Sequence, residues 1–322
     1  MRLALAIGID KYDFAPLKGC VNDATAVANL LRSHGDGSPN FDVRLETNVP
    51  RKSNMRRMIR ELFSGSHDTA LLYYSGHGVF NERGGYLVPS DYRKDDEGIP
   101  MNEVLTLAND SATKNKIIIL DCCHSGAITV PQLNSAISGH INEGITILTA
   151  SKQEELAMEA GGKGIFTGLL LEALQGGAAD LNGYITPASI YAYIDQVLGP
   201  WDQRPVFKNN VSRFTSLRQV RRPIDPAVLR NIARYFDAPD QEKQLYPSYE
   251  YSNDPAYKHM LLTPFAQEDL VSIFQELKAM QSVGLVEPVG ENHLYWAAMN
   301  SKSCRLTPLG AHYWRLAKQR KI

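Results

Sequence analysis

The strongest constraint on the fold is a set of apolar runs that stop abruptly at residues capable of chemistry. "LALAIGI" (3–9), "TALLYYSGHG" (69–78), "KIIILDCC" (116–123) and "GITILTAS" (144–151) are continuously apolar rather than alternating. That pattern belongs to strands covered on both faces, as in a parallel sheet. Helical patterns lie between them. In "NDATAVANLLRSHG", Asn22 or Asp23 can cap a helix whose Val27, Leu30 and Leu31 share one face and which Gly35 stops. "FDVRLET" alternates like a strand, and "KSNMRRMIRELFSG" is amphipathic at helical spacing. Further on come a short hairpin ("GGYLVPSD"), a helix ("MNEVLTLAND"), two more helices ("FTGLLLEALQGG", "PASIYAYIDQVL") and a last strand ("RPVFKNNV"). This alternation predicts an α/β fold with a mostly parallel sheet of about six strands and helices on both faces.

The character changes near "RQVRRPIDP", which is basic and carries prolines. The expected organisation is a domain over 1–217, a linker over 218–226 and a second domain over 227–322. The second domain begins with a helical "AVLRNIARYF" and a Tyr-rich irregular stretch. A helix ending at Gly284 follows, then "GLVEPV" and "HLYWAAM" as strands, then a helix opened by Thr307-Pro308. That order suggests a small α+β, winged-helix-like accessory domain. Residues 223–322 hold 11 basic and 11 acidic side chains. The candidate recognition segment sets Glu268, Asp269 and Glu276 against Lys278 alone, which serves DNA phosphate poorly. Recognition of a protein or a small molecule is the expectation there, and nucleic-acid binding is not.

Composition narrows the classes further. The net charge is −1, so no global attraction to nucleic acid or anionic membrane is expected. No run approaches the ~18 apolar residues of a membrane span. The cysteines stand at 20, 122, 123 and 304 without a CxxC pair, which fits neither a disulfide scaffold nor a zinc site. A reducing cytoplasm is the expected compartment.

The chemistry gathers where the apolar runs end. In an open parallel sheet, ligands bind outside the carboxyl ends of the strands. If "YYSGHG" and "LDCCHSG" are neighbouring strands, His77 and Cys123 meet across that edge. An adjacent imidazole activates a thiol and then protonates a leaving amine, and flanking glycines let backbone N–H groups approach an oxyanion. Strand alternation puts Asp121 and Cys123 on one side and Cys122 on the other, as a small core residue. His124 diverges from its neighbour. Asp121 is left beside the thiol, where a carboxylate can bind a cationic side chain.

These residues resemble the caspase-like clan of cysteine endopeptidases, and the metacaspases and their bacterial relatives in particular. The resemblance spans roughly residues 1–215 through "GIDKY", "GCVNDA", "YYSGHG", "DCCHSG", "GIFTGLLLEAL", "GYITP" and "QRPVF". His77 lies upstream of Cys123 at about the 50-residue separation that marks caspases. The resemblance implies a His77–Cys123 dyad and an oxyanion hole from the backbone N–H groups of Gly78 and Cys123. It also implies a first specificity pocket lined by Cys20, Asp23, Ser75 and Asp121, with no cofactor and no metal. Two carboxylates in one pocket favour arginine or lysine, so cleavage is expected after Arg or Lys in protein substrates. Plainer roles remain open: Asp23 as a helix cap, Ser75 as a turn hydroxyl, and "RKDDE" (93–97) as a solvated loop rather than a calcium site.

From His124 to Ser151 there is no Lys or Arg. An enzyme of this specificity has no site of its own to cut there, so a single-chain enzyme is expected. Control then falls to the C-terminal domain, through a protein or small-molecule activator. Bacterial chains of this architecture act as effectors in antiphage defence, which suggests a similar role by analogy. The competing readings are a catalytically idle caspase-like scaffold and a winged-helix DNA-binding regulator.

Overall fold

The computed structural model describes residues 1–93, 96–124, 141–150, 165–198, 205–213, 215–257 and 261–322, with backbone alone at Phe80, Cys123 and His124. The chain divides into two compact units, Met1–Arg221 and Arg222–Ile322.

The first unit opens with β1 (Arg2–Gly8), α1 (Cys20–Arg32), β2 (Asp42–Thr47), α2 (Lys52–Phe63) and β3 (Thr69–Asn81). It continues with β4 (Gly84–Leu87), β5 (Ile99–Pro100), α3 (Met101–Asn109), β6 (Asn115–His124) and β7 (Ile145–Thr149). Then come α4 (Ile165–Glu172), which runs into a π-helical turn at Ala173–Gly177, β8 (Tyr184–Ile185), α5 (Pro187–Val197), β9 (Val206–Asn210) and β10 (Arg218–Gln219). The main sheet has the order β2-β1-β3-β6-β7-β9, parallel except for β9, which runs antiparallel to β7. The far end of β3 turns back as a hairpin with β4, and β5 pairs with β4.

The apolar runs bury alternate residues in two cores. Leu72, Tyr74, Ile118 and Leu120 pack with Met55, Ile59 and Val104 from α2 and α3. Leu71, Tyr73, Ile117 and Ile119 pack on the other face with Val27, Leu31, Leu170 and Ile190 from α1, α4 and α5. Each fully buried aliphatic side chain stabilises this arrangement by about 1.5–3 kcal/mol, so the sheet is held from both faces.

Helix α1 begins earlier than the sequence suggests, and neither Asn22 nor Asp23 caps it. The Asp10 carboxylate, from the loop after β1, accepts the Cys20 N–H at 2.8 Å and the Val21 N–H at 3.3 Å. It thereby satisfies two of the helix's orphan donors. Gly8 permits this seating, because a Cβ there would lie 2.3 Å from the Cys20 carbonyl oxygen.

Part of the stretch expected as linker belongs to the first unit. Strand β10 pairs with β8. The Arg218 guanidinium donates through Nε to the Leu30 and Ser33 carbonyls (3.1 and 3.0 Å) and through Nη1 to the Leu174 carbonyl (2.9 Å). A charge that reads as part of a linker in sequence therefore ties the end of α1 to the π-helical turn after α4.

The second unit contains α6 (Pro226–Tyr235), β11 (Lys243–Gln244), a 3-10 turn at Pro247–Tyr249, α7 (Glu268–Ser282), β12 (Val286–Val289), α8 (Leu294–Met299), β13 (Ser303–Leu306) and α9 (Pro308–Lys318). Its antiparallel sheet has the order β11-β13-β12. "HLYWAAM", expected as a strand, is helix α8: the His293 side chain caps it by accepting the Tyr295 N–H at 3.1 Å, and Leu294, Ala297 and Ala298 are buried together. Gly284 ends α7 at φ +72°, a conformation that favours glycine. Among the described residues, no helix is long and apolar enough to cross a membrane.

Candidate active site

The parallel strands bring their carboxyl ends to one edge, where β3 and β6 lie side by side. Their register sets Ser75 opposite Asp121, His77 opposite Cys123 and Gly78 opposite His124. The neighbour relation that the sequence reading required is therefore present in the backbone. Cys122 is buried in the opposite core, with Leu120 and Val88.

His77 is buried and held from several directions. Its Nε2 lies 2.7 Å from the Ala15 carbonyl oxygen. A carbonyl has no proton to give, so Nε2 is the donor in this contact. The backbone on either side of this ring is pinned by two tyrosines. The His77 N–H donates to the Tyr12 hydroxyl at 3.1 Å. The His77 carbonyl accepts the Tyr74 hydroxyl at 2.8 Å and the Val88 N–H at 3.1 Å. Both phenols also reach the Val88 carbonyl, at 3.1 and 2.8 Å. Burial pushes both phenol pKa values up, so these hydroxyls stay protonated donors. The rings of Tyr12 and Phe14 flank the imidazole, with centroids 4.5 and 5.2 Å away. Gly76 makes room for the phenols: a Cβ there would stand 2.6 Å from each hydroxyl oxygen.

Asp23, Ser75, Asp121 and Cys20 are all buried. Asp23 sits within the first turns of α1 and is only 2% exposed, so it is not the cap that a plainer reading allowed. Cys20 is the first residue of α1, with its N–H on Asp10. Asp121 Oδ2 accepts the Thr167 hydroxyl at 2.6 Å, and that hydroxyl lies 2.6 Å from the Tyr73 hydroxyl. Tyr73 is pushed well above the usual phenol range, by burial first and then by the fields of Asp121 and Asp23. Both carboxylates therefore act on one buried hydroxyl from the same face of the sheet.

No group of three or more His, Cys, Asp or Glu suited to a metal ion occurs among the described residues. In "RKDDE", Asp96 pairs with Lys52, whereas Lys94 and Asp95 lie outside the described residues. Most of the connection from His124 to Ser151 also lies outside them.

The sequence reading missed the Ala15 carbonyl, the Tyr12–Tyr74 clamp and Thr167. A backbone carbonyl carries no signature in sequence. The tyrosines and the threonine do sit inside "GIDKY", "YYSGHG" and "GIFTG", but only the folded contacts show what their hydroxyls do.

The family model described as "Caspase domain" matches residues 1–213. The chain belongs to the caspase-domain family of cysteine peptidases. It is 30% identical over 172 residues to Metacaspase-1 of Mycosarcoma maydis, covering 44% of this chain and 40% of that protein. It is 34% identical over 148 residues to Metacaspase-1 of Arabidopsis thaliana, covering 39% of each. The chain thus spans about two fifths of the length of these curated relatives. The solved structure of pro-sf-caspase-1 overlays with a TM-score of 0.46 at 16% identity, covering 66% of this chain and 93% of that one.

Proposed function

We propose that this caspase-domain chain is a cysteine endopeptidase that cleaves protein substrates after Arg or Lys, with His77 and Cys123 as its dyad. The observation that carries the reading is the register of His77 opposite Cys123, combined with an imidazole whose Nε2 is already committed to the Ala15 carbonyl. Its Nδ1 then serves as the proton carrier of the reaction. In the proposed cycle the Cys123 thiolate adds to the scissile carbonyl while the imidazole carries the proton. The oxyanion lies against the backbone N–H groups of Gly78 and Cys123. The imidazolium passes its proton to the leaving amine as the C–N bond breaks, which leaves a thioester. Water, deprotonated by the neutral imidazole, adds to the thioester and expels the thiolate, releasing the carboxylic acid.

Basic specificity is supported by two buried carboxylates, Asp23 and Asp121, acting on the same side of the sheet beside the dyad strand. A guanidinium or an ammonium is the complementary partner for such a cup. Cys20 and Ser75 complete the proposed lining.

We assign control to the second unit, with a protein or small molecule as its signal and no maturation cut between His124 and Ser151. The strand order β11-β13-β12 supports a winged-helix-like assignment for this unit, although α8 occupies the connection between β12 and β13. Its balanced charge favours a protein or small-molecule ligand over nucleic acid. Service as a bacterial effector in antiphage defence rests on architectural analogy alone.

The test is cleavage of matched fluorogenic peptides ending in Arg, Lys or Asp, by the native chain and by Cys123→Ala. Hydrolysis of the Arg and Lys peptides that vanishes with Cys123→Ala supports the proposal. Preferential hydrolysis after Asp, or activity that survives the substitution, contradicts it.

A further inference from the structure

Thr167 belongs neither to the dyad nor to the pocket that the sequence suggests, yet it is completely buried against that pocket. It is the third residue of α4, and its hydroxyl donates to Asp121 Oδ2 at 2.6 Å. The same oxygen lies 2.6 Å from the Tyr73 hydroxyl. The proton directions follow from the chemistry of the acceptor. The Thr167 hydroxyl has a single proton and gives it to Asp121. Tyr73 must then donate to Thr167. Burial, followed by the fields of Asp121 and Asp23, keeps the Tyr73 proton in place. The result is a one-way relay, Tyr73 to Thr167 to Asp121, spanning β3, α4 and β6.

A carboxylate turns about a broad, roughly two-fold terminal torsion. A hydroxyl fixed to a neighbouring helix and bonded to one carboxylate oxygen restricts that turn. The restriction matters unequally for the two basic side chains. A guanidinium fork forms its paired bonds only to a carboxylate lying in its own plane, whereas an ammonium is a compact charge that tolerates many orientations. We infer that the Tyr73–Thr167 hydroxyl pair is a positioning device that holds Asp121 in the plane a substrate guanidinium requires, and so sets a preference for Arg over Lys. This rests on the reading of Asp121 as a pocket carboxylate. If Thr167 merely packed α4 against the sheet, its loss would lower stability and weaken both peptides equally.

The experiment uses the full chain carrying Cys123→Ala and two peptides that differ only in Arg or Lys before the cut. Affinities are measured by calorimetry, and kcat and KM are measured separately in the chain that retains Cys123. Thr167→Val keeps the shape and removes the hydroxyl. The expected result is about a tenfold loss of affinity for the Arg peptide against about twofold or less for the Lys peptide. KM for Arg should rise with kcat little changed, and Thr167→Ser should restore the Arg-to-Lys ratio. Tyr73→Phe removes the donor to Thr167 without altering α4, and should shift the ratio in the same direction by a smaller factor. An unchanged ratio in both variants overturns the inference while leaving the pocket assignment intact. Failure of the Cys123→Ala chain to bind either basic peptide overturns the pocket assignment, and the inference with it.

Discussion

Gly76→Ala isolates the device that holds the histidine. Gly76 is not among the residues at positive φ, so its backbone accepts alanine and only the surroundings resist. The new Cβ would lie 2.6 Å from both the Tyr12 and Tyr74 hydroxyl oxygens and 2.9 Å from Tyr74 Cζ, about 0.8 Å inside ordinary contact at the hydroxyls. Neither phenol can withdraw freely. Tyr12 bridges the His77 N–H and the Val88 carbonyl, and Tyr74 shares its proton between the His77 and Val88 carbonyls. Overpacking of this kind costs about 1–3 kcal/mol, and losing one of these buried hydrogen bonds adds about 1 kcal/mol. A total of about 3 kcal/mol lowers the Tm of a unit this size by roughly 6–12 °C. His77 carries the displacement because both of its peptide groups are tied to these hydroxyls, and a ~1 Å misplacement costs about 100-fold in rate. Thermal unfolding and kcat/KM with an Arg peptide measure both effects. Gly78→Ala is the stability control: among the described residues the nearest atom to its Cβ is Cys122 Cβ at 3.1 Å, so its Tm should fall by much less. A Gly76→Ala chain with native Tm and native kcat/KM would refute the clamp.

Other perturbations test separate parts of the account. His34 accepts the Gln219 N–H at 3.0 Å, and burial, followed by Arg2 and Arg218 against the opposing Asp36, holds its pKa below the ordinary 6.5. The folded state then resists a proton that the unfolded chain takes up. Its stability contribution is complete above about pH 7 and falls as pH drops through 6.5 towards the folded value. His34→Asn, which keeps an acceptor in place, should flatten the fall between about pH 7 and 5 in denaturant titrations, and an unchanged slope would exclude His34 as its source. Arg218→Ala strips a cation from the carbonyls of Leu30, Ser33 and Leu174 and should cost about 3 kcal/mol in urea unfolding, with lysine recovering only part because it lacks the fork. Lys278→Ala leaves the Glu250 carboxylate, 2% exposed, without its partner at 2.6 Å and should cost about 3 kcal/mol. Glu250→Gln in the same chain should restore much of that loss, and additive effects would show the pair to be uncoupled.

The apolar runs make the sheet legible in the sequence, because a strand buried on both faces admits few other residues. His77 and Cys123 stood at the ends of two such runs, and what remained was whether β3 and β6 are neighbours. That is a matter of topology, settled by the order of the whole sheet rather than by either segment. The Thr167–Asp121 bond was hidden for a similar reason: it forms only when α4 docks on the face where Asp121 emerges. The Ala15 carbonyl is invisible in sequence, since every residue at that position would offer one. "HLYWAAM" has the aromatic content of a strand, but a cap at His293 and the burial of Leu294, Ala297 and Ala298 on one face made it helical. Arg218 reads as part of a linker in sequence because its carbonyl partners lie far away in the chain.

In the proposed mechanism Cys123, activated by His77, is the nucleophile beside a pocket for basic side chains. The most direct measurement treats the native chain with a peptidyl-arginine chloromethyl ketone and locates the modified residue by mass spectrometry. Alkylation at Cys123 alone is predicted, abolished by His77→Ala and suppressed by competing Arg peptide, with Cys20, Cys122 and Cys304 unmodified. Labelling at one of those other cysteines instead, or labelling of Cys123 that is indifferent to His77, would contradict it.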